Sequence, residues 1–201
     1  MYAIVDIETT GSFAQANGIT EIAIHLFDGE KVTEKFETLI NPLQPIPPFI
    51  QAMTGINNKM VSTAPTFEKV APKIFELLKD RIFVAHNVQF DYGFVKTQLS
   101  VQGFELETAK LCTVRLSRQI IPGLPSYSLG KLCNSLNIVA QNRHRAGGDT
   151  EATVLLFKHL IAKDFKGHIS KSLKKGTKKT SKKIITKQIE IEDFKKNQLP
   201  N

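Results

Sequence analysis

A chain of 201 residues with 41% hydrophobic and 23% charged residues has the makeup of a globular protein, long enough for one ordinary domain plus an appendage. No window approaches the run of about 18 apolar residues that a membrane span requires. The start MYAIVDIETTG also lacks the basic residues and small-residue cleavage site of a signal peptide, so a cytoplasmic protein with no membrane attachment is expected. The net charge of +8 is uneven: residues 1–164 hold 16 Lys+Arg against 16 Asp+Glu, while residues 165–201 hold 11 Lys against 3 acids. The basic character therefore belongs to a tail and does not by itself mark the fold as a nucleic-acid binder. Cys112 and Cys133 are too widely spaced for a CxxC motif, and neither has neighbouring ligands for zinc.

Taken in chain order, YAIVDI (2–7) reads as a short apolar strand ending in acids, and ITEIAIHLF (19–27) and VTEKFETLI (32–40) alternate at period two. Asp28-Gly29 between them predicts a hairpin turn and an antiparallel pair. Pro42, Pro45, Pro47 and Pro48 then break regular structure, predicting a loop with short helical turns as far as Thr66. Thr66 is a candidate cap for a helix with Phe67, Val70, Ile74, Leu77 and Leu78 on one face and Pro72 inside it. Ile82–Ala85 predicts a brief buried strand, and helical patterns follow at about 88–101, 110–120, 127–136 and 148–163. Strands first and helices after predict an α/β fold with a mixed sheet covered by helices.

After Asp164 the composition shifts to Lys, Ser, Thr and Gly, placing a domain boundary there. Residues 165–183 are expected to be a linker or basic arm, and Ile184 to Phe194 to take regular structure only with a partner. The closing Gln198-Leu199-Pro200-Asn201 reads as the approach to a further domain in longer relatives.

Three segments carry candidate chemistry. Asp6-Ile7-Glu8 places two carboxylates at i and i+2, on one face at the end of a strand, and two such anions are costly side by side unless a cation sits between them. Hard oxygen ligands suit Mg²⁺ or Mn²⁺. Thr9-Thr10-Gly11 follows as a turn whose backbone can lie against a ligand. His86-Asn87-Val88-Gln89-Phe90-Asp91 follows the buried strand, with Asn87 a candidate N-cap and Asp91 on the first turns of the next helix. His144-Arg145-Ala146-Gly147-Gly148-Asp149 joins an imidazole, able to take a proton near neutral pH, to an acid at the start of the last helix. Its two glycines predict a mobile loop. Each segment alone also has an ordinary reading: a solvated strand edge, an acid answering a helix dipole, a solvated loop histidine.

In this order and separation, D-I-E-T-T-G, H-N-x-x-F-D and H-R-A-x-x-D resemble the three motifs of the DnaQ-like 3′–5′ exonucleases, histidine subgroup of the DEDD superfamily, over about residues 1–163. The sister subgroup has Tyr where this chain has Arg145. The resemblance implies an RNase H-like fold with a mixed five-stranded sheet. It implies that Asp6, Glu8, Asp91 and Asp149 ligate two divalent cations, Mg²⁺ or Mn²⁺, and that His144 is the general base. It further implies that Thr9, Thr10 and Gly11 contact the terminal nucleotide, while His86, Asn87 and Phe90 shape the site. Phe13, just past the turn, is placed where a side chain can stack on a base. His25 and His159 lie in apolar patterns and are read as structural.

The function so implied is hydrolysis at the 3′ end of DNA or RNA, releasing nucleoside 5′-monophosphates, as a proofreading- or repair-type activity, with a polymerase or repair complex as an expected partner. The alternative is a catalytically silent nucleic-acid-binding or scaffold module on the same fold. The Lys-rich tail is expected either to attract phosphates, with steep salt dependence, or to act as a solubilising linker.

Overall fold

Alternation of apolar side chains along the first strand decides how the two sides of the molecule are filled. In the computed structural model, which describes residues 1–139 and 144–174, β1 (Tyr2–Thr9) sends Ala3, Val5 and Ile7 to one side of a sheet and Ile4 to the other. The sheet has five strands in the order β3-β2-β1-β4-β5, built with β2 (Ile19–Phe27), β3 (Val32–Leu39), β4 (Ile82–Ala85) and β5 (Lys110–Cys112). β1 pairs antiparallel with β2 and β2 with β3, whereas β1–β4 and β4–β5 are parallel. The expected hairpin is present: Asp28 Oδ1 accepts from the amides of Glu30 and Lys31 at 2.8 Å each, and Gly29 takes the φ of 117° that a side chain would resist.

On the first side, α3 (Phe67–Leu78) and α4 (Val88–Val101) cover the sheet through Ala71, Ile74, Leu78, Phe94, Val95 and Leu99. On the second, α5 (Thr113–Ile120), α6 (Leu129–Ser135) and α7 (Ala146–Lys163) close over Ile4, Phe27 and Val84, with Leu156, Phe157 and Leu160 of α7 at the centre. Every residue of β2 is buried, as a strand covered on both faces requires. The proline-rich stretch forms the two short helices α1 (Pro48–Thr54) and α2 (Asn58–Ser62), sealed by Ile46, Ile50, Ile56 and Val61.

Several expectations are corrected. β1 continues to Thr9, and residues 110–112 are an edge strand, so the helix expected at 110–120 starts only at Thr113. Three residues are too few to show a period, and parallel pairing with β4 decides their state. Thr66 and Asn87 stand at the starts of α3 and α4 but neither side chain caps; Asn87 instead takes a left-handed conformation, φ 74° and ψ 52°, with its side chain exposed. Gly147 and Gly148 are not a mobile loop but lie in the first turn of α7. Folded chain also runs past the boundary placed at 164. Residues 168–174 are helical, Asp164 accepts from the amides of His168 and Ile169 at 2.7 and 2.8 Å, and Ile169 is buried in the α7 core. Residues 175–201, including Ile184 to Phe194, lie outside the described residues, as do Asn142 and Arg143.

Ile169→Ala should therefore lower unfolding free energy by about 2 kcal/mol, as for a buried aliphatic truncation. Urea denaturation would read this, and an unchanged midpoint would return the boundary to 164.

Candidate active site

The last turn of β1 and the first turn of α7 meet on the second side of the sheet. There the ligand oxygens of Asp6, Glu8 and Asp149 lie within 4.8 Å of one another. At that spacing two carboxylates repel by roughly 3–4 kcal/mol at an effective dielectric near 20. Burial, followed by the charges of Asp91, Asp149, Glu8 and Glu21, holds the Asp6 carboxyl well above its ordinary range. Glu8 is pushed up to about 7 by burial, then by Asp149 and Glu21, against the opposing pull of Arg145. Asp91, in the first turns of α4, stands outside that trio yet is the largest neighbouring charge acting on Asp6. Burial raises it to about 8, partly offset by hydrogen bonds from its own amide and that of Ile7. A compact set of oxygen donors that resist ionising together is suited to a hard divalent cation, and this cluster can hold one.

The register explains the geometry. Glu8 pairs with Glu21 across β1 and β2, but Thr9 pairs with Ile19, so Thr20 is an extra residue opposite the end of the acid strand. Such a bulge bends the strand where its side chains are aimed. The turn beyond it is held from within. Thr9 Oγ1 donates to Gly11 O at 2.7 Å, and Thr10 Oγ1 receives Gln44 Nε2 at 2.6 Å and the Gly18 amide at 3.1 Å. A Cβ on Gly11 would meet Asn17 Oδ1 at 2.3 Å, which accounts for glycine at this close approach. Thr9 and Thr10 are buried, whereas Phe13 is 74% exposed. A groove of about 540 Å³ opens beside this turn, lined among others by Asn17, Gln44 and Gln98; none of the four acids lines it.

His144 takes a left-handed conformation, φ 62°, with its side chain exposed, and its amide donates to Asp149 Oδ2 at 3.2 Å. His86 faces elsewhere: its ring bridges Thr113 Oγ1 and Tyr127 O at 3.0 Å each, tying the end of β4 to α5 and to the segment before α6. Phe90 is half-buried, its ring 5.0 Å from that of Phe94. His25 is buried with Nε2 2.7 Å from Glu37 Oε1, and burial lowers its pKa. Sequence reasoning missed Glu21. It is buried, and its carboxylate takes Arg145 Nε at 3.1 Å, Arg145 Nη2 at 2.5 Å and the Ala146 amide at 2.8 Å. Its only sequence signal was an acid inside an otherwise apolar strand.

Residues 3–157 match the exonuclease family RNase_T. The chain belongs to this exonuclease family. Among curated relatives, the 3′-5′ exonuclease DinG of Bacillus subtilis (strain 168) is 42% identical over 164 residues, covering 81% of this chain and 18% of the relative. A PolC-type DNA polymerase III from Caldanaerobacter subterraneus subsp. tengcongensis is 36% identical over 162 residues, 81% of this chain and 12% of the relative. The chain thus spans less than a fifth of the length of these relatives. Among solved structures, exonuclease X in complex with 5′ overhanging duplex DNA superposes with a TM-score of 0.68 at 29% identity, over 82% of this chain and 93% of that one. Exonuclease I, at 19% identity and a TM-score of 0.72 over 81% of this chain and 41% of that one, shares the fold. The expected RNase H-like architecture is thereby borne out. Among the described residues no helix is long and apolar enough to cross a membrane.

The raised carboxyls make metal-free stability fall with pH. Their folded pKa values exceed the unfolded carboxylate value of about 4, so the folded state retains protons that the unfolded state has lost, and stability declines as pH rises from about 4 through 7–8. Thermal melts in chelator should show a lower midpoint at pH 8 than at pH 5, and Mn²⁺ should raise the midpoint more at pH 8. A midpoint flat across this window and indifferent to Mn²⁺ would contradict the site.

Proposed function

We propose that the exonuclease domain hydrolyses the terminal phosphodiester at the 3′ end of DNA, using divalent cations held by Asp6, Glu8, Asp91 and Asp149, with His144 as general base. The observation that carries this reading is the convergence of Asp6 and Glu8 from β1 with Asp149 from α7 in one oxygen cluster. That Asp91 acts on Asp6 from outside the trio supports a donor set of four acids that would hold two cations, with Mg²⁺ or Mn²⁺ preferred for oxygen donors. The cations supply neutralisation of the phosphate and polarisation of its oxygens. They also account for how a fold without net positive charge in residues 1–164 meets a polyanion.

The protein groups divide the remaining work. An imidazole nitrogen of exposed His144 takes a proton from water as the water oxygen bonds to phosphorus. The phosphorus bond to the 3′ oxygen of the preceding nucleotide breaks, releasing a nucleoside 5′-monophosphate and a strand one nucleotide shorter. The 3.2 Å bond from the His144 amide to Asp149 Oδ2, at a left-handed backbone, supports His144 working beside Asp149. The rigid Thr9-Thr10-Gly11 turn gives the terminal nucleotide a fixed wall through its backbone, because the threonine hydroxyls are engaged internally. Exposed Phe13 offers a face for base stacking. DNA as substrate, and work within a replication or repair complex, are supported by the relatives DinG and PolC-type polymerase III and by the duplex DNA bound to exonuclease X.

A 5′-labelled single-stranded DNA incubated with protein and Mn²⁺ should give a ladder of shortening products, abolished by EDTA. Asp149→Ala and His144→Ala should each slow it by at least about 100-fold while retaining the wild-type fold by circular dichroism. Binding without shortening in the wild type would leave a silent DNA-binding module in its place. Parallel rates on duplex DNA with a mispaired 3′ end and on RNA would rank proofreading, repair and RNA processing.

A further inference from the structure

Asp149 belongs to α7 while Asp6 and Glu8 belong to β1, so the metal cluster exists only if the start of α7 is pinned to the sheet. Arg145, at the N-cap of α7, supplies no side-chain capping bond, and the backbone just ahead of it is left-handed at His144. The helix start is held instead from β2. Glu21 Oε2 accepts the Ala146 amide at 2.8 Å, one of the amides with no partner inside the helix. Both Glu21 oxygens also accept Arg145 Nε at 3.1 Å, and Oε1 accepts Nη2 at 2.5 Å. The fork geometry fixes orientation as well as distance, because a planar guanidinium engages a carboxylate along two bonds. Glu21 is 7% exposed while the Arg145 side chain is 40% exposed, so the acid is buried beneath a half-exposed guanidinium. Beside it Gly147 lets Glu37 approach the same turn: a Cβ there would sit 2.5 Å from Glu37 Oε2. Pairing with Glu8 across β1 and β2 places Glu21 next to the cluster, yet all its oxygens face α7 partners.

We propose that Glu21 is a positioning residue, which through Arg145 and the Ala146 amide latches the first turn of α7 to β2 and so sets His144 and Asp149 against Asp6 and Glu8. The proposal rests on the exonuclease reading above. Arg145 also offsets the negative charge that Glu21 would otherwise add beside Glu8, so the latch brings an acid close to the metal ligands without leaving it unpaired. In this view Arg145 is directed at Glu21, with Nη2 2.5 Å from Oε1, and is not a phosphate contact.

The test compares Glu21→Gln, Arg145→Gln, Arg145→Lys and the double variant Glu21→Gln/Arg145→Gln with the wild-type chain. Mn²⁺ affinity is read by isothermal titration calorimetry without DNA, and kcat and KM by shortening of a labelled oligonucleotide. Residues that orient metal ligands typically change metal affinity or activity by about 10–100-fold when altered. Each Gln single variant should therefore weaken Mn²⁺ binding and lower kcat within that range, with KM unchanged. The double variant should be no worse than the poorer single, since both remove the same latch. Arg145→Lys, which keeps the charge and loses the fork, should fall between. Glu151→Gln, which breaks the exposed Lys35–Glu151 pair further along α7, should match wild type and control for general loosening of the helix. If Glu21→Gln does not fold, the two Arg145 variants carry the same comparison.

A raised KM with unchanged Mn²⁺ affinity would make Arg145 a substrate contact and overturn the latch. So would wild-type values in Glu21→Gln, or losses that add in the double variant. A wild-type chain that bound no Mn²⁺ and shortened no strand would remove the exonuclease reading itself, and the latch with it, a result distinct from a working wild type with indifferent variants.

Discussion

Mutual repulsion among crowded, partly buried carboxylates is the constraint around which the rest of the molecule is arranged. Three acids with ligand oxygens within 4.8 Å, and a fourth close enough to dominate the charge felt by Asp6, form an arrangement that a folded chain tolerates only by keeping protons or by binding cations. The packing that forces them together is apolar. Ile4 and Phe27 from the sheet meet Leu156, Phe157 and Leu160 of α7, and on the other face Ala3, Val5 and Ile7 meet α3 and α4. Burial of these surfaces offsets the cost of the acidic seam. Stability and chemistry are therefore spent at the same junction, where β1 ends and α7 begins.

Chain connectivity makes this junction specific. β1 brings Asp6 and Glu8 to one face by period-two geometry, and the bulge between Glu8 and Thr9 marks where regular pairing gives way to the Thr9-Thr10-Gly11 turn. β4 ends beside β1 in parallel register and delivers α4, so Asp91 reaches the same area from a distant part of the sequence. Asp149 arrives last, on a helix of 18 residues that is followed, after a turn at 164–167, by the helical segment at 168–174. Its N-terminal turn is the one point where a small displacement would open the cluster, and there the chain concentrates charge-assisted hydrogen bonds between Glu21, Arg145 and the Ala146 amide.

Much of this was legible from side-chain patterns. Alternation in 19–27 and 32–40 specified the hairpin, the 3.6 period specified α3, and the spacing of Asp6 and Glu8 specified a shared face. The places that misled were those where local pattern and tertiary pairing disagree. Lys110 to Cys112 carry no period of their own and become strand because β4 offers them an edge. Gly147 and Gly148 suggest a loop by propensity, yet they are helical because the first turn of α7 is gripped by Glu21 and approached closely by Glu37. Composition after Asp164 suggested a linker, but Ile169 and Leu173, with Asp164 holding two amides, dock residues 168–174 on the core.

The sequence by itself supplied the candidates for the site, four acids and a histidine in three spaced segments, each at the end of a recognisable element, with the charge of the tail separable from that of the fold. Tertiary structure alone decided which oxygens meet, that the hydroxyls of Thr9 and Thr10 are engaged by Gly11 and Gln44, and that His86 braces α5 through Thr113. It also decided that Glu21, unremarkable within ITEIAIHLF, faces Glu8 across a strand pair and grips a helix 124 residues further along the chain. The physical reason is the range of the forces involved. Periodicity and propensity act between neighbours in the chain and can be read from it, whereas the pairing of charges and the approach of a helix start to a strand depend on register and long-range packing, which exist only once the sheet has formed.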